Sequence, residues 1–297
     1  MELTSDKPLV SVITPAFNRV MLLQETLNSV ISQKNCNFEY LIIDDGSTDG
    51  TWDWLQNLQD PRIRVMRHPN HENRGQAASI NLGLKKAVGH YVVILDSDDL
   101  LAEGALEAHS RFLANNAEFA MVYGSGFAVD NNLDPIYPLF RNNHVEKSDP
   151  NNLLLDCYIP SPGLCMFRKA VVDKIGFLEE SFRAAQDHDF VLRIAEAFPI
   201  AYSGYHSFYY RKHENSISQK GLEKRWSTGF EILNRAEARF PYRRSTIRKR
   251  RALLHFRMGQ VYWKQGNVGR SAIHILLAGF GDPVRAVNVI LGVEKPN

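Results

Sequence analysis

Cysteine is scarce in this chain of 297 residues: Cys36, Cys157 and Cys165 stand far apart and form no CxxC pair. An odd count at such spacing suggests neither a disulfide framework nor a zinc site, so a reducing compartment is the simplest reading. Long hydrophobic runs are missing too; none approaches the roughly 18 to 20 apolar residues of a membrane span. The string Met1-Glu-Leu-Thr-Ser-Asp-Lys-Pro8 is polar, and the apolar run over 9–13 behind it is too short for a secretory h-region. A cytoplasmic location is expected, with peripheral attachment at the inner face of a membrane as the other option.

Net charge is nearly absent, +2 in all, which argues against a dedicated nucleic-acid binder. The total hides a division: residues 1–221 carry 20 Lys/Arg against 28 Asp/Glu, and residues 222–297 carry 15 against 5. With 44% hydrophobic and 23% charged side chains the composition is that of a globular chain, and disorder as the main state is excluded.

The β-branched run over 9–14 reads as a strand ended by Pro15, which cannot donate to a sheet ladder. A helix follows, with Leu23, Leu27, Val30 and Ile31 on one face. Strands over 40–43, 63–66, 91–95 and 120–123 then alternate with helices over 51–58, 77–88 and 103–114. The series predicts an α/β domain with a Rossmann-like, mostly parallel central sheet and helices on both faces. Residues 130–162 show no helical or strand period, and a functional loop is expected there. Beyond it come a strand over 164–167, helices over 169–175 and 187–197, and a strand-like segment over 202–210. Helices over 223–240, 245–266 and 268–279 form a C-terminal helical extension, with Gly266 and Gly279 as stops. Within it Gly259, Tyr262, Gly266, Ile275, Ala278 and Pro283 resemble the spacing of one tetratricopeptide-type helix pair; one copy is a hairpin, not an array. The expected domains are a catalytic one over 1–221 and a basic helical extension over 222–297.

In open α/β sheets the ligand lies beyond the carboxyl ends of the strands. The residues there are Pro15-Ala-Phe-Asn18, Asp44-Asp-Gly-Ser47 and Asp96-Ser-Asp-Asp99. A dinucleotide site needs a Gly-rich turn after the first strand, and Pro15-Ala-Phe-Asn-Arg19 has no glycine; nor is there a GxxxxGK[ST] string for a P-loop. Asp96-Ser-Asp-Asp99 offers three carboxylates, hard oxygen ligands suited to a Mg²⁺ or Mn²⁺ that shares its coordination with substrate phosphates. Alone, the same string also reads as a solvated turn or, through Asp99, as the cap of a helix beginning at Leu100. Ser47 or Asp49 is expected to cap the helix near Thr51.

Five strings in order carry a resemblance: Val10-Ser-Val-Ile-Thr-Pro-Ala-Phe-Asn18; Ile43-Asp-Asp-Gly-Ser-Thr-Asp49; Asn73-Arg-Gly75 with Asn81-Leu-Gly83; Tyr91-Val-Val-Ile-Leu-Asp-Ser-Asp-Asp99; and Gln186-Asp-His-Asp189 with Tyr210-Arg-Lys-His213. Together they closely resemble the family 2 glycosyltransferases of the GT-A fold, over about residues 8–218. The resemblance implies inverting transfer of a sugar from a nucleotide diphosphate donor, a UDP-sugar favoured, to a hydroxyl of a glycan or lipid-linked acceptor. Cell-surface polysaccharide synthesis is the expected setting, with Mn²⁺ or Mg²⁺ as cofactor.

Carried over residue by residue, it implies that Pro15, Phe17 and Asn18 form the edge and platform for the nucleotide base. Asp45 matches the acid that bonds the base, with Asp44 as its neighbour, and Arg74 lies where the nucleotide or its phosphates are met. Asp96 matches the ribose contact, and Asp98 or Asp99 the metal ligand. Asp187 matches the catalytic base that takes the proton of the acceptor hydroxyl, with Asp189 and His188 as the other candidates within reach; alone, Asp187 also reads as a helix cap. Arg211 and His213, in Tyr210-Arg-Lys-His-Glu-Asn-Ser216, resemble the segment over the diphosphate, His213 as a phosphate or metal contact. The family usually has Glu before that Asp; Gln186 is the departure, and losing a like charge leaves the base somewhat less basic. Pro160-Ser-Pro-Gly-Leu-Cys-Met-Phe-Arg168 resembles the stretch that shapes the donor-sugar and acceptor side, with Cys165 as packing.

Two other functions fit parts of the pattern: a nucleotide-sugar-binding accessory protein without turnover, and a nucleotidyltransferase. The second would need a Gly-rich basic loop after the first strand, which Pro15-Ala-Phe-Asn18 is not. In the extension, residues 235–257 hold nine Lys/Arg and one acid, Glu237. They read either as a solvated helix face or as a surface for anionic lipid headgroups or a lipid-diphosphate acceptor. No nucleic-acid partner is expected.

Overall fold

A computed structural model describes residues 9–213 and 221–290. Met1 to Pro8 and the Glu214-Asn-Ser216 end of the last motif lie outside the described residues. Strands β1 (Val10–Ala16), β2 (Phe38–Asp44), β3 (Ile63–Arg67) and β4 (Tyr91–Ile94) pair in parallel in the order β3-β2-β1-β4. Helices α1 (Val20–Ile31), α2 (Thr51–Gln56) and α3 (Gln76–Lys86) connect them. Every residue of β1 and β2 is buried, which is why these strands read as continuous apolar runs rather than alternating ones. Helix α1 buries Leu23, Thr26, Leu27 and Val30, one stripe at helical spacing.

Pro15 does not end β1. Ile13 O accepts from Leu95 on the β4 side and Ala16 O from Asp45 on the β2 side. Pro15, in step with Ile13, therefore turns its nitrogen toward β4, where pairing has stopped at Ile13 and Ile94. The missing N–H costs no sheet bond, and β1 runs on against β2 to Ala16.

The sheet continues through β8 (Cys165–Arg168), β6 (Met121–Val129), β9 (Ile200–Arg211) and β5 (Leu100–Leu101) in the order β4-β8-β6-β9-β5. Here β8 is antiparallel to both neighbours, β6 and β9 are parallel, and β5 is antiparallel to β9. Helices α4 (Ala105–Asn115), α6 (Val171–Ile175) and α7 (Gln186–Ala197) complete this part. Leu100 and Leu101 form a strand, so Asp99 caps no helix. The stretch 130–162 is not a plain loop: it holds β7 (Pro135–Pro138), paired with β6, and α5 (Pro150–Asp156). All four residues of β7 are exposed, so no alternation marks it. Helix α5 starts with Pro150 behind an Asp149 cap that accepts from Asn151 N–H, and is too short to show a period.

At the amino-terminal edge of the sheet the buried Glu39 of β2 accepts from Ser11 Oγ (2.6 Å), Arg64 Nη1 (2.7 Å) and Val88 N–H (2.7 Å). Burial opposes its charge, but these bonds outweigh it and hold the carboxyl below its usual 4.5. A depressed folded pKa contributes stability that is present above the unfolded value and lost as pH falls through the folded one. Glu39→Gln is therefore expected to lower the unfolding free energy at neutral pH by about 1 to 3 kcal/mol. Urea denaturation at pH 7 and below 4 checks it; a gap that does not shrink in acid would refute the charge-based account.

The chain divides into two compact units: Met1–Ser148 with Ile159–Ser181 and Gln186–Glu214, and Asp149–Tyr158 with Phe182–Ala185 and Asn215–Asn297. The second contains α5, α8 (Leu222–Arg239), α9 (Arg244–Lys264), α10 (Val268–Gly281) and α11 (Pro283–Ile290). Gly266 follows the end of α9 in a left-handed conformation, whereas α10 runs through Gly279 to Gly281. Within this unit Asp149 pairs with Arg243 at 3.0 Å and the buried Arg250 donates to Leu155 O. Among the described residues no helix is long and apolar enough to cross a membrane.

Candidate active site

The site lies in the first unit, beyond the carboxyl ends of β1, β2 and β4. At the end of β2, Asp44 Oδ2 accepts from Ser47 N–H at 3.2 Å and lies 2.9 Å from His71 Nε2. Asp45 takes the backbone N–H groups of Arg74 (2.8 Å) and Gly75 (2.9 Å), tying the Asn73-Arg-Gly75 turn to β2. Gly46 makes this possible: its φ is +81°, and a Cβ there would stand 2.8 Å from His71 O. Asn18, itself at φ 51°, accepts Thr48 N–H and donates its own to Ser47 Oγ, so the end of β1 and the Gly46-Ser-Thr loop form one surface. Phe17 is exposed on it, while Pro15 is buried. Asp49, not Ser47, accepts Thr51 N–H, and it also accepts the first N–H of α1, from Val20.

After β4 the three acids diverge. Asp96 is half-buried and accepts from Gln76 Nε2 at 2.7 Å; burial, then Asp98 and Asp187, push its carboxyl up to about 8. Asp98 lies 2.9 Å from His213 Nε2. Asp99 is buried with both oxygens engaged, Oδ1 by Arg211 N–H (2.9 Å) and Oδ2 by Ser161 Oγ (3.3 Å). Burial, with Asp98 and Asp96 nearby, raises its pKa well above the usual carboxylate value. Arg211 is spent within the fold: Nη2 meets Glu25 at 2.7 Å, Nε donates to Asp98 O and Nη1 to Asn131 O.

Asp187 falls in the first turn of α7, half-buried and close enough to Asp96 to raise its pKa. Since α7 begins at Gln186, Asp187 is inside the helix and not its cap. Its neighbour Asp189 is buried against Arg193 Nε at 2.8 Å, and the same guanidinium donates to Phe177 O. Gln186 Nε2 donates to Gln76 Oε1 at 2.6 Å, which makes a relay from Gln186 through Gln76 to Asp96. Gln186 Oε1 is buried without a hydrogen-bond partner among the described residues. Gln76 and Glu25 were not visible as site residues in the sequence, and Ser161 only as a member of the Pro160–Arg168 stretch. Gln76 carried one signal, as the first residue of α3 directly after the Asn73-Arg-Gly75 string. Asn81 and Gly83 are structural: Asn81 holds Leu178 through both backbone groups, and Gly83 lies against Ile13. Cys165 is buried in β8.

Among the described residues no three His, Cys, Asp or Glu side chains are grouped to hold a metal ion. The pair Asp98 and His213 supplies one hard oxygen and one imidazole. Around it Asp96 feels the charges of Asp98 and Asp187, and Asp99 those of Asp98 and Asp96. Two donors amid excess negative charge fit a divalent ion that takes its remaining ligands from phosphate oxygens and water.

A sheet of this order, with acids gathered beyond β2 and β4 and no Gly-rich turn after β1, defines an α/β fold of the GT-A type. The mannosyltransferase PcManGT of Pyrobaculum calidifontis, solved with GDP-Man and Mn²⁺, shares it: TM-score 0.63, 19% identity, 98% of this chain and 82% of that one covered. The model of glycosyl transferase family 2 matches residues 11–176, and the chain belongs to that family. A glycosyltransferase of Haemophilus influenzae is 38% identical over 40% of this chain and 47% of its own length. The UDP-Glc:α-D-GlcNAc-diphosphoundecaprenol β-1,3-glucosyltransferase WfgD of Escherichia coli is 28% identical over 80% of this chain and 91% of its own. The chain spans less than half the length of the curated relatives that it matches at 38% to 44% identity.

Proposed function

We propose that the chain is an inverting glycosyltransferase that moves a sugar from a UDP-sugar to a hydroxyl of a glycan or lipid-linked acceptor in polysaccharide synthesis. The observation that carries this reading is the approach of Asp187 to the Asp96-Ser-Asp-Asp99 string: a helix start and a strand end put a carboxylate beside the place for a nucleotide diphosphate. The Escherichia coli relative, named for UDP-Glc and a diphosphoundecaprenol acceptor, supports the donor base and the acceptor class.

In this reading Phe17 stacks on the base, with Pro15 and Asn18 shaping the edge beside it. Asp45 holds the turn that presents Arg74 and offers an oxygen to the base. Asp96, oriented by Gln76, meets the ribose. Asp98 and His213 hold Mn²⁺ or Mg²⁺, which when bound offsets the charge of the departing diphosphate. Asp99 and Arg211, whose polar groups are taken up within the fold, position Asp98 and His213 rather than touch substrate. Asp187 takes the proton as the acceptor oxygen attacks the anomeric carbon from the face opposite the diphosphate. Residues 222–297 bring the enzyme to anionic lipid through the exposed Arg235, Arg239, Arg243, Arg244, Arg248, Lys249 and Arg251. Of the basic residues over 235–257, Arg250 is buried and Arg257 half-buried over Trp226, so neither offers its full charge.

A panel of nucleotide sugars tested by thermal unfolding with Mn²⁺ examines the reading. A donor present at a hundred times its dissociation constant stabilises by about 2.7 kcal/mol, a clear rise in melting temperature for one nucleotide and not others. If no nucleotide sugar raises it and none is hydrolysed, the transferase reading fails.

A further inference from the structure

Helix α10 is packed the wrong way round for a helix facing water. A surface helix normally turns its large apolar side chains inward. The buried residues of α10 are Ser271 and Ala278, and its large apolar residues are outside: Leu276 is 62% and Phe280 82% exposed, with Ile273 and Leu277 exposed beside them. Val284 of α11 is 70% exposed. From Ser271 to Gly281 there is no charged residue. Inward, small groups meet closely: Ser271 Oγ donates to Gly259 O, and a Cβ on Gly281 would stand 2.8 Å from Ala252 Cβ; Ile275 lies over Gly259, and His274 meets His255 and Tyr262. Close helix approach through small residues, with Leu, Ile and Phe left outside, is the packing of helices whose surroundings are lipid.

The border of this face is basic. Leu277 and Gly281 share a cavity of about 490 Å³ with Phe240, with Arg244 and Arg248 of α9, and with Arg251, which pairs with Glu237 at 2.9 Å. At 14 residues α10 cannot span a bilayer, and an apolar face edged by arginines matches a helix lying in the headgroup region. A second copy of the chain is the poorer occupant, because pairing this face with itself would bring two arginine borders together.

We propose that α10 and α11 form a membrane-docking face: Ile273, Leu276, Phe280 and Val284 enter the boundary between headgroups and acyl chains of an anionic bilayer, and Arg244 and Arg248 meet the lipid phosphates. The face deepens the peripheral contact proposed above and rests on it, but adds insertion to charge.

Flotation of the full chain with vesicles tests it, using phosphatidylcholine alone and phosphatidylcholine mixed with phosphatidylglycerol. Wild type is expected to float with the mixed vesicles. Leu276→Ser with Phe280→Ser, which leaves the charge unchanged on two exposed positions, is expected to weaken binding at least about tenfold. Binding by this variant equal to wild type overturns the insertion; if Arg244→Glu with Arg248→Glu then still abolishes binding, the contact is electrostatic alone. Absence of wild-type binding overturns the face itself. So does a wild-type dimer, seen by light scattering, that the double serine variant converts to monomer without altering flotation. The donor-dependent thermal shift, measured on the same preparations, reports separately on donor binding and shows that each variant is folded.

Discussion

Asp187→Asn is expected to lower the rate of sugar transfer by about 10²- to 10⁴-fold, the range for removing a general base, while the donor still raises the melting temperature. Asn keeps the shape of the side chain and its place in the first turn of α7, so the loss isolates the proton acceptor. The neighbouring acid provides the control. Asp189 is buried and spends its carboxylate on Arg193, which in turn holds Phe177 O. Asp189→Asn is expected to cost stability and to leave the turnover of the folded fraction within a few-fold of wild type. Should Asp189→Asn instead remove turnover at unchanged stability, with Asp187→Asn active, the two acids exchange roles.

The relay through Gln186 explains how a chain with Gln where the family usually has Glu can keep the base. Gln186 donates to Gln76, and Gln76 donates to Asp96. A Glu at 186 would have no proton to give Gln76 and would add a fourth acid to a region where Asp98 and Asp187 already push Asp96 up to about 8. The two glutamines therefore belong together as a neutral pair, and the departure at 186 is coupled to the residue after Gly75.

That pairing marks the limit of what the sequence discloses. The strand-helix series was legible because buried parallel strands are continuous apolar runs, and the acids Asp45, Asp96 and Asp98 because they follow strand ends; Asp187 opens helix α7 and was legible only through the resemblance. What was hidden depends on contacts across the chain. Arg211 reads as a free cation beside His213, yet its guanidinium is taken by Glu25 of α1 and by backbone carbonyls. Asp99 reads as an equal of Asp98, yet the N–H of Arg211 and the hydroxyl of Ser161 take both its oxygens. Strand β7 could not be read at all, since its four exposed residues, Pro-Ile-Tyr-Pro, carry no periodicity. The inverted packing of α10 was likewise invisible, because an apolar helix in a sequence is ordinarily assigned to a core.

The different surroundings of Asp98 and Asp99 lead to the other large effect. Asp98→Asn is expected to weaken Mn²⁺-dependent donor binding at least about 100-fold, beyond the 10- to 100-fold typical of losing a group that merely orients a ligand. It removes one of two donors from a site with no third in reach among the described residues. His213→Ala should act in the same direction, and chelation of the metal should reproduce both. Without donor or metal the sign reverses. Asp98 raises the pKa of both Asp96 and Asp99, which means its charge opposes theirs in the empty fold. Neutralising it relieves that repulsion, so the ligand-free melting temperature is expected to stay level or rise while the donor-dependent shift disappears. A site that loses function as it gains stability is one whose charge is held for a ligand. An Asp98→Asn protein that melts lower than wild type and keeps its Mn²⁺-dependent shift would instead assign Asp98 to the framework.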